Sequence, residues 1–213
     1  MQIIHCSIDA DASSCGNGSP IMQRMRDNGL SLIARLEKRG IPTIHVLLDK
    51  HFTPFETGVG RLIDTPPETR AILEQFPGMQ SVFPLGFDAL VAYKRTYSLC
   101  GEPAIEAYIR QNRFSTVILS GRSEAENELD LFAGIHCVTE SARDLAKFCN
   151  AIIAADTTNY TQGRSLRERR DLHARFGAQV ETVEAIIAGI DAAKRPARGM
   201  GRIFTARKRG LAL

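Results

Sequence analysis

The sequence predicts an α/β protein: a three-layer sandwich with a doubly wound, mostly parallel six-stranded sheet and helices on both faces. Apolar runs alternate with helical segments along almost the whole chain, and these runs lack the strict apolar-polar alternation of strands with one solvated face. With 213 residues, of which 44% are hydrophobic and 24% charged, the chain is long enough to bury one sizeable core. We therefore expect one domain over residues 1–193, followed by a basic tail over residues 194–213.

The first strand is predicted at Ile3–Ile8, and a polar, glycine-rich loop separates it from a helix. Ser19 is the expected cap of that helix, Pro20 its first residue and Gly40 its end. Further strands are predicted at Thr43–Leu48, Ala89–Tyr93, Thr116–Ser120, Ala151–Ala155 and Ala178–Val180. Further helices are predicted after Thr65 and at Glu102–Gln111, Val138–Phe148, Ser165–Phe176 and Val183–Ile190. The acidic segment Arg122–Ala133 fits either a solvated loop or a short helix.

Charge and cysteine content exclude several classes of protein. Residues 194–213 carry seven basic side chains and no acidic one, which leaves 20 basic against 24 acidic residues in 1–193. The body is therefore not expected to bind nucleic acid, and only the basic tail offers a contact for RNA or an anionic surface. Five cysteines without Cys-x-x-Cys spacing indicate free thiols rather than a disulfide framework or a zinc site. Since neither a membrane span nor a secretory leader is recognisable, we expect a cytoplasmic protein.

Three reactive side chains lie at or just after predicted strand ends: Asp9 after the first strand, Lys94 after the third, and Cys137 in the turn after the fourth. In a doubly wound sheet ligands bind at the carboxyl ends of the strands, so we expect the three side chains to meet there. A free thiol is mostly protonated at neutral pH, and Lys94 or a helix that starts at Cys137 would lower its pKa. Asp9 could take the thiol proton and return it to a leaving amine. Backbone N–H groups around His136 and Cys137 would then stabilise the oxyanion.

The residues around these positions resemble the isochorismatase-like cysteine hydrolases, a family that includes nicotinamidases and N-carbamoylsarcosine amidohydrolase. The stretch similar to the family pattern around its cysteine is Cys137-Val138-x-x-Ser141-Ala142-x-Asp144-Leu145, followed by Ile152-Ile153-Ala154-Ala155-Asp156. Similar to the family's lysine strand and to its closing strand are Asp88-Ala89-Leu90-Val91-Ala92-Tyr93-Lys94 with Ser98, and Ala178-Gln179-Val180-Glu181-Thr182-Val183-Glu184. Together with Ile8-Asp9, the resemblance covers about residues 1–190.

The resemblance implies an Asp-Lys-Cys triad. In it, Cys137 is the nucleophile that forms an acyl-enzyme, Asp9 is the general acid and base, and Lys94 holds the thiolate and orients Asp9. The cysteine implies hydrolysis of a C–N bond in a small amide or carbamoyl compound, because true isochorismatases lack it. The resemblance also implies an oxyanion hole at the backbone of His136 and Cys137, with a cis peptide at Ile135-His136. Family members often form dimers or tetramers, so a homo-oligomer is implied as well.

The chain departs from the family at two places near the triad. Fifteen residues separate Gly121 from Cys137, a longer connection than the family's, and this acidic insertion either reshapes the oxyanion hole or forms a lid. The glutamine that the family commonly has two residues after its catalytic aspartate is Asp11 here, so Asp11 is an alternative base.

The sequence contains part of the metal site of nicotinamidases. Their Asp-x-His pair is present as Asp49 and His51. The third ligand is missing, because no histidine occurs between His51 and His136, and we therefore expect no metal cofactor. Glu56 or Asp64 would have to complete a carboxylate-rich site.

A second class of function remains open: a catalytically silent relative that acts as a binding or partner module, with the basic tail as its contact element. The two hypotheses differ at Cys137, since hydrolysis requires a thiolate-rich Cys137 that depends on Lys94. His136 either contacts the substrate or packs beside the cysteine. The other histidines with no partner in the sequence, His5, His45 and His173, are expected to be structural or surface residues.

Overall fold

The computed structural model describes residues 2–10, 20–48, 62–64, 90–94, 96–158 and 164–194. Its strands are β1 (Ile3–Ile8), β2 (Thr43–Leu48), β3 (Leu62–Asp64), β4 (Leu90–Lys94), β5 (Thr116–Gly121), β6 (Asn150–Thr158) and β7 (Gln179–Glu181). Its helices are α1 (Pro20–Glu37), α2 (Pro103–Gln111), α3 (Glu128–Ala133), α4 (Cys137–Leu145), α5 (Leu166–Ala174) and α6 (Val183–Lys194), with a 3-10 turn at Leu99–Gly101. The helix predicted after Thr65 lies outside the described residues.

The strands form one sheet in the order β3-β4-β2-β1-β5-β6-β7. All neighbouring strands are parallel except β3 and β4. The chain builds outward from β1 through β2 to β4, and then in the opposite direction through β5, β6 and β7. The switch point therefore lies between β1 and β5. The predicted doubly wound, mostly parallel sheet is confirmed. Its strand number is corrected from six to seven within the described ranges, because the antiparallel edge strand β3, with three residues, is too short to produce a recognisable period.

Helices cover both faces of this sheet, which explains why β1 and β5 are buried along their whole length. Residues on one face of the sheet pack against α2 and α4, and residues on the other face pack against α1 and α6. The first core contains Ile4, Cys6, Ile8, Ile105, Ile109, Val138, Ala142 and Leu145. The second contains Ile3, Leu32, Leu36, Ile118, Ala154, Val183, Ile186 and Ile190. Polar groups at the ends of β1 and β5 therefore lie next to an apolar core that excludes water.

The carboxyl end of the described chain is attached to the body by Lys194, the last residue of α6. Its ammonium group donates a hydrogen bond to the Arg39 carbonyl at 2.7 Å. The remainder of the predicted basic tail, residues 195–213, lies outside the described part of the chain. Of the helices that are described, none combines the length and the apolar character needed to cross a bilayer.

His5 is a fully buried histidine in the central strand β1. Its ring nitrogens lie 3.1 Å from Thr43 Oγ1 and 2.8 Å from Ser120 Oγ. Burial and, to a smaller extent, the neighbouring His45 lower the pKa of His5 from 6.5 to about 3. His5 is therefore neutral in the folded protein at neutral and mildly acidic pH, and its role is structural, as the sequence predicts.

This burial predicts a loss of stability in acid. Because the pKa of His5 is lower in the folded than in the unfolded state, the unfolded chain takes up the proton first, and stability is lost as the pH falls from about 6.5 toward 3. The contribution of His5 is about 2 kcal/mol between pH 7.5 and pH 5. We expect His5→Gln to remove this part of the difference in unfolding free energy, measured by urea denaturation at the two pH values. An unchanged difference in the variant would contradict the assignment.

Candidate active site

The carboxyl end of β1 places Asp9 at the switch point of the sheet. The Asp9 backbone adopts a left-handed conformation, with φ of 49°, and its N–H donates to the Val46 carbonyl of β2 at 2.7 Å. Aspartate tolerates this conformation better than most residues, and the chain leaves the sheet there. The Asp9 side chain is buried, with 4% of the residue exposed.

Lys94, the last residue of β4, lies two strands away from β1, with β2 between them. Two strand spacings amount to about 10 Å, a gap that the long lysine side chain bridges. Its Nζ lies 2.9 Å from Asp9 Oδ2 and donates to the Thr96 carbonyl at 3.0 Å. The lysine side chain is fully buried. A charge in such a place is tolerated only when it is paired, so the lysine and Asp9 fix each other.

Cys137 is the first residue of α4 and completes this cluster. Its thiol hydrogen-bonds to the side chains of both Asp9 and Lys94, and 7% of the residue is exposed. Burial raises the pKa of the thiol to about 12, the Asp9 carboxylate raises it too, and the Lys94 ammonium lowers it. Burial has a larger effect on this pKa than the lysine, which favours the thiol in the resting site, and the thiolate-rich Cys137 stays a prediction of the sequence. The structure brings Asp9, Lys94 and Cys137 together.

The loop that follows Lys94 is held by α4. The backbone N–H of Leu99 donates to Ser141 Oγ at 3.0 Å, and the Ser98 side chain hydrogen-bonds to Asp144. Ser98 also accepts from the Cys100 N–H at 3.1 Å. Ser141 lies one helical turn after Cys137, on the same side of the helix. The polar residues of the two sequence stretches that carry the resemblance thus bond to each other, and they fix the lysine loop against the cysteine helix.

The chain that leaves β5 approaches β1 very closely at Gly121. This glycine has φ of 106°, and a Cβ atom built on it would lie 2.0 Å from the Ile8 carbonyl oxygen. The next N–H, that of Arg122, donates to the same carbonyl at 2.8 Å. A side chain at position 121 would therefore push the two strand ends apart beside Asp9, so the position requires glycine.

The cis peptide bond is located between Arg122 and Ser123. The prediction of a cis bond at Ile135-His136 is therefore wrong: the cis bond lies in the segment that follows β5, where the Ser123 carbonyl accepts from the Val138 N–H at 2.8 Å. The Ser123 hydroxyl lies 3.2 Å from His136 Nδ1. The backbone of His136 caps α4, and Cys137 follows it as the first helical residue.

The acidic insertion is an ordered part of the site wall. Residues 128–133 form α3, which confirms the short-helix alternative for that part. Glu124 lies in the preceding loop but is buried, whereas the loop alternative expected a solvated side chain. Glu124 pairs with Arg169 of α5, with Nε and Nη2 at 3.0 and 2.5 Å from its two oxygens. Thr158 of β6 donates to the same carboxylate at 2.7 Å. Sequence patterns gave no signal for this pair beyond the acidic run itself, because its members lie 45 positions apart.

Several candidate residues lie outside the described ranges: the alternative base Asp11 and the metal candidates Asp49, His51 and Glu56. The metal site therefore stays a prediction of the sequence. Of Asp64 the structure gives only the backbone, in β3. Among the side chains that the structure describes, no three His, Cys, Asp or Glu residues are grouped closely enough to hold a metal ion.

Comparison with known proteins identifies the fold. No family model and no curated protein matches the sequence. Solved structures do match: N-carbamoylsarcosine amidase from Thermoplasma acidophilum has a TM-score of 0.61 at 17% identity, over 86% of this chain and 98% of that one. A cysteine hydrolase from Pseudomonas syringae pv. phaseolicola has a TM-score of 0.63 at 14% identity, over 90% and 93%. The chain has the isochorismatase-like fold. The YcaC protein of Escherichia coli, described as an octameric hydrolase of unknown specificity, shares this fold with a TM-score of 0.56 at 14% identity, over 88% and 78%.

The close approach at Gly121 predicts that this isochorismatase-like sheet does not tolerate a side chain there. We expect Gly121→Ala to lower the unfolding free energy by about 3 kcal/mol or more, since both the backbone angle and the contact with Ile8 oppose a Cβ atom. Gly134→Ala is the matched control, because Gly134 also has a positive φ of 66° but open space around it, and it should cost about 1 kcal/mol. Equal losses in urea denaturation would contradict the packing argument.

The electrostatics of the cluster predict opposite effects of its two charged members on Cys137. Asp9→Asn removes the carboxylate that raises the thiol pKa, and Lys94→Met removes the ammonium that lowers it. We expect iodoacetamide to alkylate Cys137 faster than wild type in the first variant and more slowly in the second, by about tenfold for each unit of pKa change. Peptide mass spectrometry at pH 8 measures both rates.

Cys149 is the internal control for this experiment. It is half-buried, and burial raises its pKa to about 11 without any contribution from Asp9 or Lys94. Its alkylation rate should be the same in all three proteins. Changes of the same sign at Cys137 in both variants would show that the thiol does not respond to the ion pair.

Proposed function

We propose that this chain is a cysteine hydrolase that cleaves the C–N bond of a small amide or carbamoyl compound. The observation that carries the proposal is the buried contact of the Cys137 thiol with both members of the Asp9–Lys94 ion pair. It joins a nucleophile, a proton acceptor and a fixed positive charge in one place, which is the set that acyl transfer by a thiol requires. The amidase and the cysteine hydrolase that have the same fold support the same chemistry.

Acylation starts from the thiol, because burial keeps Cys137 protonated. Asp9 accepts the proton as the sulfur attacks the carbonyl carbon, and the carbonyl oxygen takes the electron pair of the broken π bond. Asp9 then gives the same proton to the leaving nitrogen. The C–N bond breaks, ammonia or an amine departs, and a thioester on Cys137 remains. The Lys94 ammonium lies beside both Asp9 and the sulfur, so it stabilises negative charge on either of them, while the charge on the carbonyl oxygen is stabilised by other donors.

Deacylation uses the same groups in the reverse direction. A water molecule attacks the thioester carbon while Asp9 takes one of its protons. The carbon–sulfur bond then breaks, the acid product leaves, and Asp9 returns the proton to the sulfur. The site ends in its starting state, with Cys137 as a thiol and Asp9 as a carboxylate bound to Lys94.

The first turn of α4 supplies the donors for the oxyanion. The first N–H groups of a helix have no acceptor within the helix. The Val138 N–H is bonded to the Ser123 carbonyl. We therefore assign the oxyanion to the N–H groups of Cys137 and His136, where the positive end of the helix also favours negative charge.

We further propose that the chain works as a homo-oligomer. The support is the YcaC protein, which has the same fold and is described as octameric.

The proposal predicts which substitutions abolish turnover. Cys137→Ser should show no release of ammonia above background from a panel of small primary amides and carbamoyl compounds, because a hydroxyl is far harder to deprotonate. Asp9→Asn should lose roughly 100-fold or more, although it makes the thiol more reactive toward iodoacetamide. Lys94→Met should lose activity as well.

Cys149→Ser is the control for these variants. Its side chain donates to the Leu145 carbonyl on α4, and serine can make the same bond, so turnover should stay at the wild-type level. Turnover that survives Cys137→Ser would remove Cys137 from the mechanism. A wild-type protein that hydrolyses nothing in the panel, and whose Cys137 reacts with iodoacetamide at the same rate in wild type, Asp9→Asn and Lys94→Met, would instead favour the binding-module hypothesis.

A further inference from the structure

Three consecutive residues of the insertion, Ser123, Glu124 and Ala125, lie along the first turn of α4 and form what we call the wall strip. The Ser123 carbonyl accepts from the Val138 N–H at 2.8 Å, and the Ala125 N–H donates to Thr139 Oγ1 at 2.8 Å. Both contacts are made directly after Cys137 in the helix. The wall strip therefore lies against the part of α4 whose N–H groups face the proposed oxyanion.

The side chain of the middle residue of the wall strip, Glu124, is anchored in the protein interior. The Glu124 side chain is fully buried and receives both the Arg169 guanidinium and the Thr158 hydroxyl. Arg169 is itself held by the Ala155 carbonyl of β6, at 3.3 Å from both Nη atoms, and its Nη2 donates to the Thr158 hydroxyl at 3.1 Å. These bonds connect the wall strip to β6 and α5, which carry none of the proposed catalytic residues.

We infer that the Glu124–Arg169 pair is a positioning device, which fixes the wall strip against the start of α4 and so sets the geometry of the oxyanion-binding N–H groups. This inference rests on the proposed function. An ion pair with two hydrogen bonds between planar groups fixes direction as well as distance, which an apolar contact does not. A displacement of about 1 Å at a reacting group can cost about 100-fold in rate. The bonds described for the pair join Glu124 and Arg169 to each other, to Thr158 and to the Ala155 carbonyl, and none of these residues is a proposed catalytic residue.

The test separates two reactions of the same sulfur. Alkylation of Cys137 by iodoacetamide forms no oxyanion, whereas acylation by p-nitrophenyl acetate passes through one and releases p-nitrophenolate in a measurable burst. We expect Glu124→Gln to slow the burst by about tenfold or more and to leave the alkylation rate within about twofold of wild type. Arg175→Gln is the matched control, because it breaks the exposed ion pair of Arg175 with Glu128, which also joins the insertion to the end of α5.

A double variant, Glu124→Leu with Arg169→Met, guards against a simple loss of folding. Replacing a buried ion pair by apolar side chains of similar volume often preserves stability, but it removes every directional bond of the pair. We expect this protein to unfold at nearly the wild-type temperature and still to give a slow burst. If Glu124→Gln does not fold, the burst rate of the double variant alone tests the inference.

Two results would overturn the inference: a wild-type burst rate in the stable double variant, or alkylation and acylation that slow equally. The first would mean that the pair only stabilises the fold, and the second that it acts on the nucleophile itself. Failure of the proposed function would look different. In that case the wild-type protein would give no burst, or a burst that survives Cys137→Ser, and the inference would fall with it.

Discussion

The buried ion pair between Lys94 and Asp9 is the interaction on which the rest of the site depends. Its members come from strands that are separated by β2, so only the sheet order β4-β2-β1 brings them together. Each charge would be strongly destabilised in this interior without the other. The close approach of Gly121 to Ile8 and the anchoring of the lysine loop by Ser141 then fix the two chain segments that carry or border the pair. At the switch point, the sheet order thus places two paired charges in a buried site at the carboxyl edge of the sheet.

Burial also has the largest effect on the protonation state of Cys137. A helix start and a lysine usually produce a thiolate, and both are present at Cys137. Burial and the nearby carboxylate have the larger effect, so the resting sulfur keeps its proton. In the proposed mechanism the thiolate is therefore made during attack, by transfer of the thiol proton to Asp9, rather than stored. A stored thiolate would be open to oxidants and alkylating agents, whereas a buried thiol that ionises only with the substrate in place is protected from them.

The sequence was sufficient for those parts of the fold that have a local pattern. Strands β1, β2, β4, β5, β6 and β7 follow from apolar runs, and the start of α4 at Cys137 lies one residue from its predicted position. Asp9, Lys94 and Cys137 could be chosen because parallel strands have their carboxyl ends at one edge of the sheet, and because the residues around them resemble the family pattern. The cis bond at Arg122–Ser123 could not be located, since a cis bond before a residue other than proline has no signature in the sequence. Glu124 and Arg169 could not be paired either, because neither residue has a local signature and a buried carboxylate looks like a solvated one in an acidic run.

The first turn of α4 is held from two sides, and this explains how Cys137 keeps its contacts with Asp9 and Lys94 although a long insertion precedes it. Successive residues of a helix are about 100° apart, so Cys137 and Thr139 point in nearly opposite directions. Cys137 meets the Asp9–Lys94 pair, while Thr139 receives the Ala125 N–H and lies 3.3 Å from Nε2 of the buried His173. The Asp9–Lys94 pair thus contacts α4 directly at Cys137. The Glu124–Arg169 pair holds the wall strip, which contacts α4 at Thr139 on the opposite side. The insertion can therefore be long without displacing the nucleophile, because its first residues are fixed to β6 and α5 before the chain turns into α3.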